Sequence, residues 1–336
     1  MRAAVFSKLG QPLRVERVPD PEPGVGQIVV RVSRCGICGS DLHMTEEALF
    51  GLTPGTVLGH EYAGEIIAVG KDVRRVRTGD RVSVMPVQGC WHCASCLAGQ
   101  PAWCSQMRIE GGGYGEYALA NQSQCLQLPK SVSLEEGALI EPLAVGLHGV
   151  TVAQMPAGAR VLVIGAGPIG LAATFWARRF GASRVAVTAS TNRREALALA
   201  MGATAFIDPS DASPEAVART LGGPPDVVFE CVGKPGLLAR CVECVRPRGT
   251  VVVLGLCTAM DSLMPFALVA KEVRVQAAAL YGMRDFEIAA DALAAEAAVP
   301  RAMITDTVGL EAMPAAFEAL RQRNTQCKVM VNPTAH

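Results

Sequence analysis

The segment from Val161 to Phe180 constrains the fold of this chain more than any other. Val161 to Ile164 are large and apolar, the turn GAGPIG follows at 165–170, and a largely apolar helical stretch runs from Ile169 to Phe180. Glycines at GxGxxG spacing between a strand and a helix are what a dinucleotide-binding turn requires. Gly165 permits the tight turn, Gly167 lets a pyrophosphate approach the backbone, and Gly170 lets helix and strand pack closely. Pro168 and Ile169 open the helix, whose N-terminus then faces the phosphates. Gly181 closes it where a left-handed cap is favoured. Val161 to Ala177 holds no charged residue, but Gly165, Gly167, Pro168 and Gly170 interrupt it, and a membrane span needs about 20 apolar residues. The stretch therefore reads as a buried strand, turn and helix.

The rest of the chain reads around that unit. From about Ala144 strands and helices alternate, the pattern of a parallel sheet covered on both faces. Val185 to Thr188 is the next strand, Asn192 with Glu195 marks a capping box for a helix to about Met201, and Ala205 to Ile207 is a third strand. Ser213 and Pro214 open another helix as N-cap and first residue. The strands Val227 to Glu230, Thr250 to Leu254 and Val273 to Ala279 complete six, which suits a doubly wound α/β (Rossmann) sheet over 143–282. Before it, short strands such as Ile28 to Val32 and Glu65 to Val69 lie between glycine turns at Gly24, Gly26, Gly70 and Gly79, and predict a β-rich, barrel-like domain. After about Gly282 come an alanine-rich helix, a helix from Glu311 to Leu320 and a strand from Lys328 to Val331. This tail is too short to stand alone. The expected division is 1–142 with 283–336 around an inserted 143–282.

Cys90, Cys93, Cys96 and Cys104 interrupt the first domain with metal-ligand spacing. Thiolates bind Zn2+ tetrahedrally, and two-residue gaps let neighbouring sulfurs converge on one ion. Disulfides would suit a small secreted domain, whereas MRAAVFSKLG offers no apolar signal stretch, and a reducing cytoplasm is the expected setting. A closed four-thiolate site has no open coordination position, so this zinc would be structural. Cys125, Cys231, Cys241, Cys244, Cys257 and Cys327 lie in or beside apolar segments and read as small hydrophobes. The charge balance of 31 basic to 31 acidic residues leaves no electrostatic footprint for nucleic acid or an anionic membrane. The partner is a small molecule.

A second ligand set is scattered upstream. Cys38 in CGICGSD, His60 and Glu61 in GHE, and Glu141 in IEPLAVGLH are the thiolate, imidazole and carboxylates of a catalytic zinc that keeps one position open. Each alone has a plainer explanation as a core thiol, a loop histidine or a helix-end cap. For the dinucleotide, an NAD-binding unit would usually carry a carboxylate about 20 residues past the glycines to hold the ribose hydroxyls. This chain has Ala189, Ser190, Arg193 and Arg194 there, which removes a negative charge and offers donors to a 2′-phosphate. NADP is therefore expected in preference to NAD.

Together these features resemble the zinc-dependent medium-chain alcohol dehydrogenases, most closely the sorbitol, butanediol and threonine dehydrogenase branch. The motifs are CGICGSDLH at 35–43, GHEYAG at 59–64, GDRV at 79–82, the four-cysteine lobe, EPLAVGLH at 141–148 and GAGPIG at 165–170. The resemblance implies a GroES-like catalytic domain, two zinc ions per chain, and zinc ligation by Cys38, not Cys35, with His60, Glu61 and Glu141. It also implies a proton relay through Ser40 and His43, and a cofactor lining of Cys231, Val232, Gly233, Gly255, Leu256 and Ala279, with Lys328 at the pyrophosphate. Hydride transfer between an alcohol and a ketone is the expected reaction, in a homodimer or homotetramer. Polyol members carry an arginine before an aromatic after the last Rossmann strand, where this chain has Leu280 before Tyr281. With Leu49, Phe50 and Leu52 as an apolar wall, an apolar secondary alcohol is expected. The alternatives are an NAD-dependent polyol dehydrogenase, a zinc-free NADPH enone or quinone reductase, which would not need Cys38, His60 and Glu61 together, and a non-catalytic protein on the same scaffold.

Overall fold

The computed structural model describes residues 1–322 and 325–335, and the chain divides into two compact units. One comprises Met1–Glu141, Gly282–Ala297 and Ile304–His336; the other comprises Pro142–Tyr281 and Ala298–Met303.

The first unit is built on a seven-stranded, mostly antiparallel sheet. Its strands run in the order Ile304–Gly309, Lys328–Asn332, Gln27–Gly36, Glu61–Val69, Arg81–Val84 and Cys125–Gln127, and Tyr117–Asn121 also pairs with Gln27–Gly36. Alternate residues Ile28, Val30 and Val32 point into a core shared with Ile66, Val82, Val84, Val329 and Val331. Period-two patterning of this kind is what a sheet with one buried face requires. Leu310, Met313 and Phe317, from the segment just before the last strand, cover the same core. The tail strand Lys328–Asn332 pairs with Gln27–Gly36 through Met330 opposite Gly36. Ile304–Gly309, a strand not anticipated from the sequence, pairs in parallel with Lys328–Asn332. Its polar, half-exposed residues lack the apolar run by which a strand is usually read.

The second unit is a six-stranded parallel sheet: β1 (Arg160–Ile164), β2 (Arg184–Thr188), β3 (Ala205–Ile207), β4 (Val227–Glu230), β5 (Thr250–Val253) and β6 (Arg274–Ala277). Their spatial order, β3-β2-β1-β4-β5-β6, is the doubly wound arrangement, with its reversal between β1 and β4. Val161, Leu162, Val163, Val185, Ala186, Val228 and Val251 are all buried, as expected for strands covered on both faces. Ser213 caps the Pro214–Leu221 helix by accepting the Ala216 N–H at 3.2 Å. The capping box expected at Asn192 and Glu195 does not form. The helix there starts at Glu195, and the Glu195 N–H is taken by the Asn192 backbone carbonyl at 3.0 Å in a turn, so the asparagine side chain has no capping donor to serve. Among the described residues no helix is long and apolar enough to cross a membrane.

Asp226 ties the opening ends of β1, β4 and β5 together. Its carboxylate accepts the Arg160 N–H at 2.8 Å and Arg246 Nε at 2.6 Å, while its carbonyl accepts the Thr250 N–H at 3.0 Å. Burial pushes its carboxyl pKa up, but the Arg160 N–H and the Arg246 guanidinium prevail and hold it below the usual range. A depressed native pKa stabilises the fold above the unfolded value of about 3.9, and that stabilisation is lost as pH falls through the native value. Asp226→Asn should therefore cost about 1 kcal/mol at neutral pH. Thermal unfolding should show the difference from wild type closing as the pH is lowered below about 4.

Candidate active site

The strands Gln27–Gly36 and Glu61–Val69 pair with Gly36 opposite Glu61. Cys38 lies just beyond the end of one strand and His60 just before the start of the other, so the register brings them face to face. Donor atoms of Cys38, His60 and Glu61 all lie within 4.8 Å of one another. Gly36 leaves room for this, since a Cβ there would sit 2.1 Å from Glu61 Oε2. At Gly59, where φ is +88°, a Cβ would meet the Tyr114 ring at 2.5 Å.

Behind these ligand candidates is a buried polar network. Asp41, fully buried in the Gly39–Met44 helix, places Oδ1 3.1 Å from His60 Nδ1, and its other oxygen accepts the Tyr114 hydroxyl. Burial by itself would lower the imidazole pKa; the facing Asp41 carboxylate, and then the Cys38 thiol, instead hold it well above its ordinary value. Burial and the same carboxylate keep the Tyr114 phenol protonated, with its pKa raised well above normal. A carboxylate on Nδ1 sets the tautomer that leaves Nε2 for a metal. Lys328 comes from the tail strand, 1% exposed, with Nζ 2.7 and 2.5 Å from the two Glu61 oxygens and 3.1 Å from the Ile37 carbonyl. Burial alone would lower its pKa; Glu61 overrides this and holds it above the ordinary range. The expectation that Lys328 meets a pyrophosphate is corrected by this geometry. An ammonium has three donors, and all three have acceptors within unit one.

The remaining candidates fall around this centre. Ser40 Oγ donates to Cys38 Sγ at 3.2 Å. His43 Nδ1 lies 2.8 Å from Glu47 Oε1. Glu141 is buried in the first turn of the Ile140–Ala153 helix and is not part of the converging set. Cys35 is also outside it: the thiol is fully buried, and burial pushes its pKa well up, as suits a neutral core group.

The four lobe cysteines likewise converge, with all four sulfurs within 4.8 Å of one another and 4.0 Å between Cys90 and Cys96. Four thiolates about 2.3 Å from one zinc would be spaced by about 3.8 Å, and a disulfide by about 2 Å. The spacing fits the metal. The Cys93 N–H points at Cys90 Sγ at 3.3 Å, and the Cys90 and Gln106 N–H groups at Cys104 Sγ at 3.4 and 3.3 Å. Backbone N–H groups of His92 and Cys93 hold the Cys90 thiol down at about 6, whereas burial pushes Cys96 up to about 12. One sulfur ionises readily while its neighbour resists, as thiols crowded around one point do until a cation shares their charge. Gly89 allows the crowding, because a Cβ there would lie 2.5 Å from Cys96 Sγ.

In the second unit Gly165 has φ +109°, and a Cβ at Gly170 would lie 1.8 Å from the Gly165 carbonyl oxygen. Pro168 and Ile169 begin the Pro168–Arg179 helix. β2 ends at Thr188, followed by half-buried Ala189 and exposed Ser190 and Arg193. Arg194 Nη1 donates to the Ala166 carbonyl at 3.2 Å, linking this loop to the glycine turn. Cys231, Val232 and Gly233 follow β4, Gly255 and Leu256 follow β5, and Ala279 follows β6, all at the carboxyl end of the sheet. Leu49 and Leu256 are exposed, while Leu52 packs on the core of the first unit.

Three participants were missed in the sequence: Asp41, Tyr114 and Glu47. Asp41 stands in the CGICGSD motif that flagged Cys38, and a charged residue directly after a serine in a helix start carries no sign that it is buried. Tyr114 lies 73 positions from Asp41, and only the tertiary fold joins them.

Comparison with known proteins gives a consistent relationship. Residues 24–130 match the alcohol dehydrogenase GroES-like domain family, and residues 168–295 match the zinc-binding dehydrogenase family. Sorbitol dehydrogenase of Ovis aries is 33% identical over 330 residues, covering 95% of this chain and 93% of that protein. Sorbitol dehydrogenase of Bacillus subtilis is 32% identical over 345 residues, covering 99% and 97%. Among solved structures, one from Sinorhizobium meliloti 1021, described as a zinc-binding dehydrogenase bound to NADP, superposes with a TM-score of 0.90 at 33% identity over 99% of each chain. 2R,3R-butanediol dehydrogenase from Bacillus subtilis superposes with a TM-score of 0.88 at 28% identity, again over 99% of each chain.

The Asp41 contact predicts a metal-retention phenotype. Asp41→Asn should weaken zinc retention at Cys38, His60 and Glu61 by about 10- to 100-fold, read as zinc transfer to a chelator, with retention by the cysteine lobe unchanged. Equal retention in the variant would show that Asp41 does not position His60.

Proposed function

The chain belongs to the zinc-dependent medium-chain alcohol dehydrogenase family, whose members are NAD(P)-dependent oxidoreductases, and within that family we propose an NADP-preferring enzyme interconverting an apolar secondary alcohol and its ketone. The single observation that carries the cofactor choice is the end of β2. Ala189, Ser190, Arg193 and Arg194 stand there without a carboxylate, and Arg194 is held against the glycine turn through Ala166. A ribose 2′-phosphate would meet donors there and no negative charge. The NADP bound to the Sinorhizobium meliloti relative supports the same choice.

Cys38, His60 and Glu61 would hold the catalytic zinc, with Glu141 as the further carboxylate, and the four lobe cysteines a second, structural ion. When bound there, zinc would supply Lewis-acid lowering of an alcohol oxygen's pKa, as it does for water, and a nicotinamide would supply the hydride acceptor. The chain's own residues do the rest. Asp41 keeps the His60 imidazole oriented, and Lys328 neutralises Glu61. Ser40, which here donates to Cys38 Sγ, would accept the alcohol proton while its own hydroxyl proton passes toward His43. His43, steadied by Glu47, hands that proton to solvent. Gly165, Gly167 and Gly170 admit the pyrophosphate, and the loops at Cys231–Gly233, Gly255–Leu256 and Ala279 border the dinucleotide.

For the substrate, the family resemblance puts Leu280, with φ +57° and beside a fully buried Tyr281, where polyol members carry an arginine. A guanidinium for sugar hydroxyls is missing from that position. The second reading, a polyol dehydrogenase using NAD, rests on the names of the sorbitol dehydrogenase relatives. We also place the enzyme in the cytoplasm as a homo-oligomer. A second copy would extend the sheet at the edge strand β6, and on the Pro265–Lys271 helix that precedes it in the chain Phe266 and Val269 are 70% and 71% exposed.

A panel of alcohols and ketones with both nucleotides tests this reading. NADPH should give the higher kcat/KM, and cyclic or aryl alkanols should exceed sorbitol and xylitol; NADH equal or better, or polyols far better, overturns the corresponding half. Metal analysis should find two zinc ions per chain, and Cys38→Ser should abolish turnover while the lobe zinc stays. Fewer zinc ions in wild type with chelator-insensitive reduction would favour the zinc-free reductase.

A further inference from the structure

We propose that Glu230 is a positioning residue for the dinucleotide, its buried carboxylate setting the conformation of the two loops that flank the crevice of the parallel sheet. The inference rests on the reading that this unit binds a nicotinamide dinucleotide. In a doubly wound sheet the ligand lies outside the carboxyl ends of the strands where the strand order reverses. Here that point falls between β1 and β4, and Glu230 is the last residue of β4, in register with Ile164, the last of β1.

Glu230 is 3% exposed, and no arginine or lysine pairs with it among the described residues. Its carboxylate is instead satisfied by backbone. Oε1 accepts the Val232 N–H at 2.8 Å and the Gly233 N–H at 3.0 Å, curling the loop after β4 back on itself. Its main-chain carbonyl accepts the Leu254 and Gly255 N–H groups at 2.8 and 2.9 Å, which fixes the turn after β5. One residue thus organises both loops.

The loops also interlock, so neither can shift alone. A Cβ at Gly233, where φ is +72°, would sit 2.4 Å from the Leu256 carbonyl oxygen. A Cβ at Gly255 would lie 2.1 Å from the Gly233 nitrogen and 2.4 Å from Glu230 Oε2. On the other side, a Cβ at Gly165 would lie 2.7 Å from Val232 Cγ2 and 3.1 Å from the Cys231 carbonyl oxygen. The glycine turn, the β4 loop and the β5 turn form one packed layer at the switch point. Removing the carboxylate would leave the Val232 and Gly233 N–H groups unpaired beside that layer and let the β4 loop unwind. Charge-assisted acceptance explains why a carboxylate stands here, since such bonds are about twice as strong as neutral ones.

The test uses the zinc-loaded full chain with NADPH as the probe, followed by NADPH fluorescence on titration. Glu230→Gln, which keeps an acceptor but loses the charge, should weaken the NADPH Kd about fivefold, and Glu230→Ala about 20-fold or more. The KM for NADPH should rise in step, with kcat at saturating NADPH, zinc content and the KM for alcohol held within about twofold, as loss of uniform binding requires. A merely structural role would lower thermal stability and zinc content and leave the Kd of the folded fraction unchanged; that result overturns the proposal. A Kd within twofold of wild type in either folded variant also overturns it. If the alanine variant does not fold, the glutamine variant decides alone. Wild type that binds neither NADPH nor NADH would overturn the dinucleotide reading itself, an outcome distinct from unaltered binding by the variants.

Discussion

The register between Gln27–Gly36 and Glu61–Val69 is the constraint from which the site follows. Antiparallel pairing puts Gly36 opposite Glu61, so the chain leaves one strand where it enters the other. Cys38 and His60 are then neighbours without any contribution from their own side chains. A slip by one residue would turn Glu61 to the opposite face of the sheet and remove the group that Lys328 neutralises. The tail strand adds Lys328 from the far end of the sequence, and a glycine at position 36 keeps the three strands close enough for the ion pair to form.

Charge buried beside neutral backbone recurs through the molecule, with a different answer each time. Glu61 is matched by an ammonium, Asp41 by an imidazole and a phenol, and Glu230 by backbone N–H groups. An unpaired buried carboxylate is strongly unfavourable, so each of these groups is held in a single orientation by the hydrogen-bond partners the fold supplies. The cysteine lobe follows the same logic with sulfur. Its N–H groups favour thiolate at Cys90, burial opposes it at Cys96, and the four sulfurs surround a point suited to a cation. Precision in these sites comes from second partners set on strands and short turns.

Much of this was legible in the chain. The six strands of the parallel sheet, the glycine turn, the Ser213 cap and the cysteine lobe each have a local signature of apolar runs, special φ angles or ligand spacing. The misses were of another kind. Asn192 and Glu195 have capping-box spacing, but a backbone turn took the donor first. Ile304–Gly309 lacks apolar alternation and is a strand only because Lys328–Asn332 lies beside it. Lys328 looked available to an anion, whereas burial commits it to Glu61 and the Ile37 carbonyl.

The sequence by itself determined which residues could ligate, cap or turn, because those properties belong to side-chain chemistry and to spacing over a few residues. It determined the doubly wound sheet for the same reason, since strand and helix periodicities are local. The tertiary structure alone decided which charges meet. Asp41 reaches Tyr114 across 73 positions and Lys328 reaches Glu61 across 267, separations at which only strand pairing and core packing bring groups into contact. Burial then decides what each group does, because a carboxylate or ammonium removed from water must take whatever partners the fold places within hydrogen-bond reach.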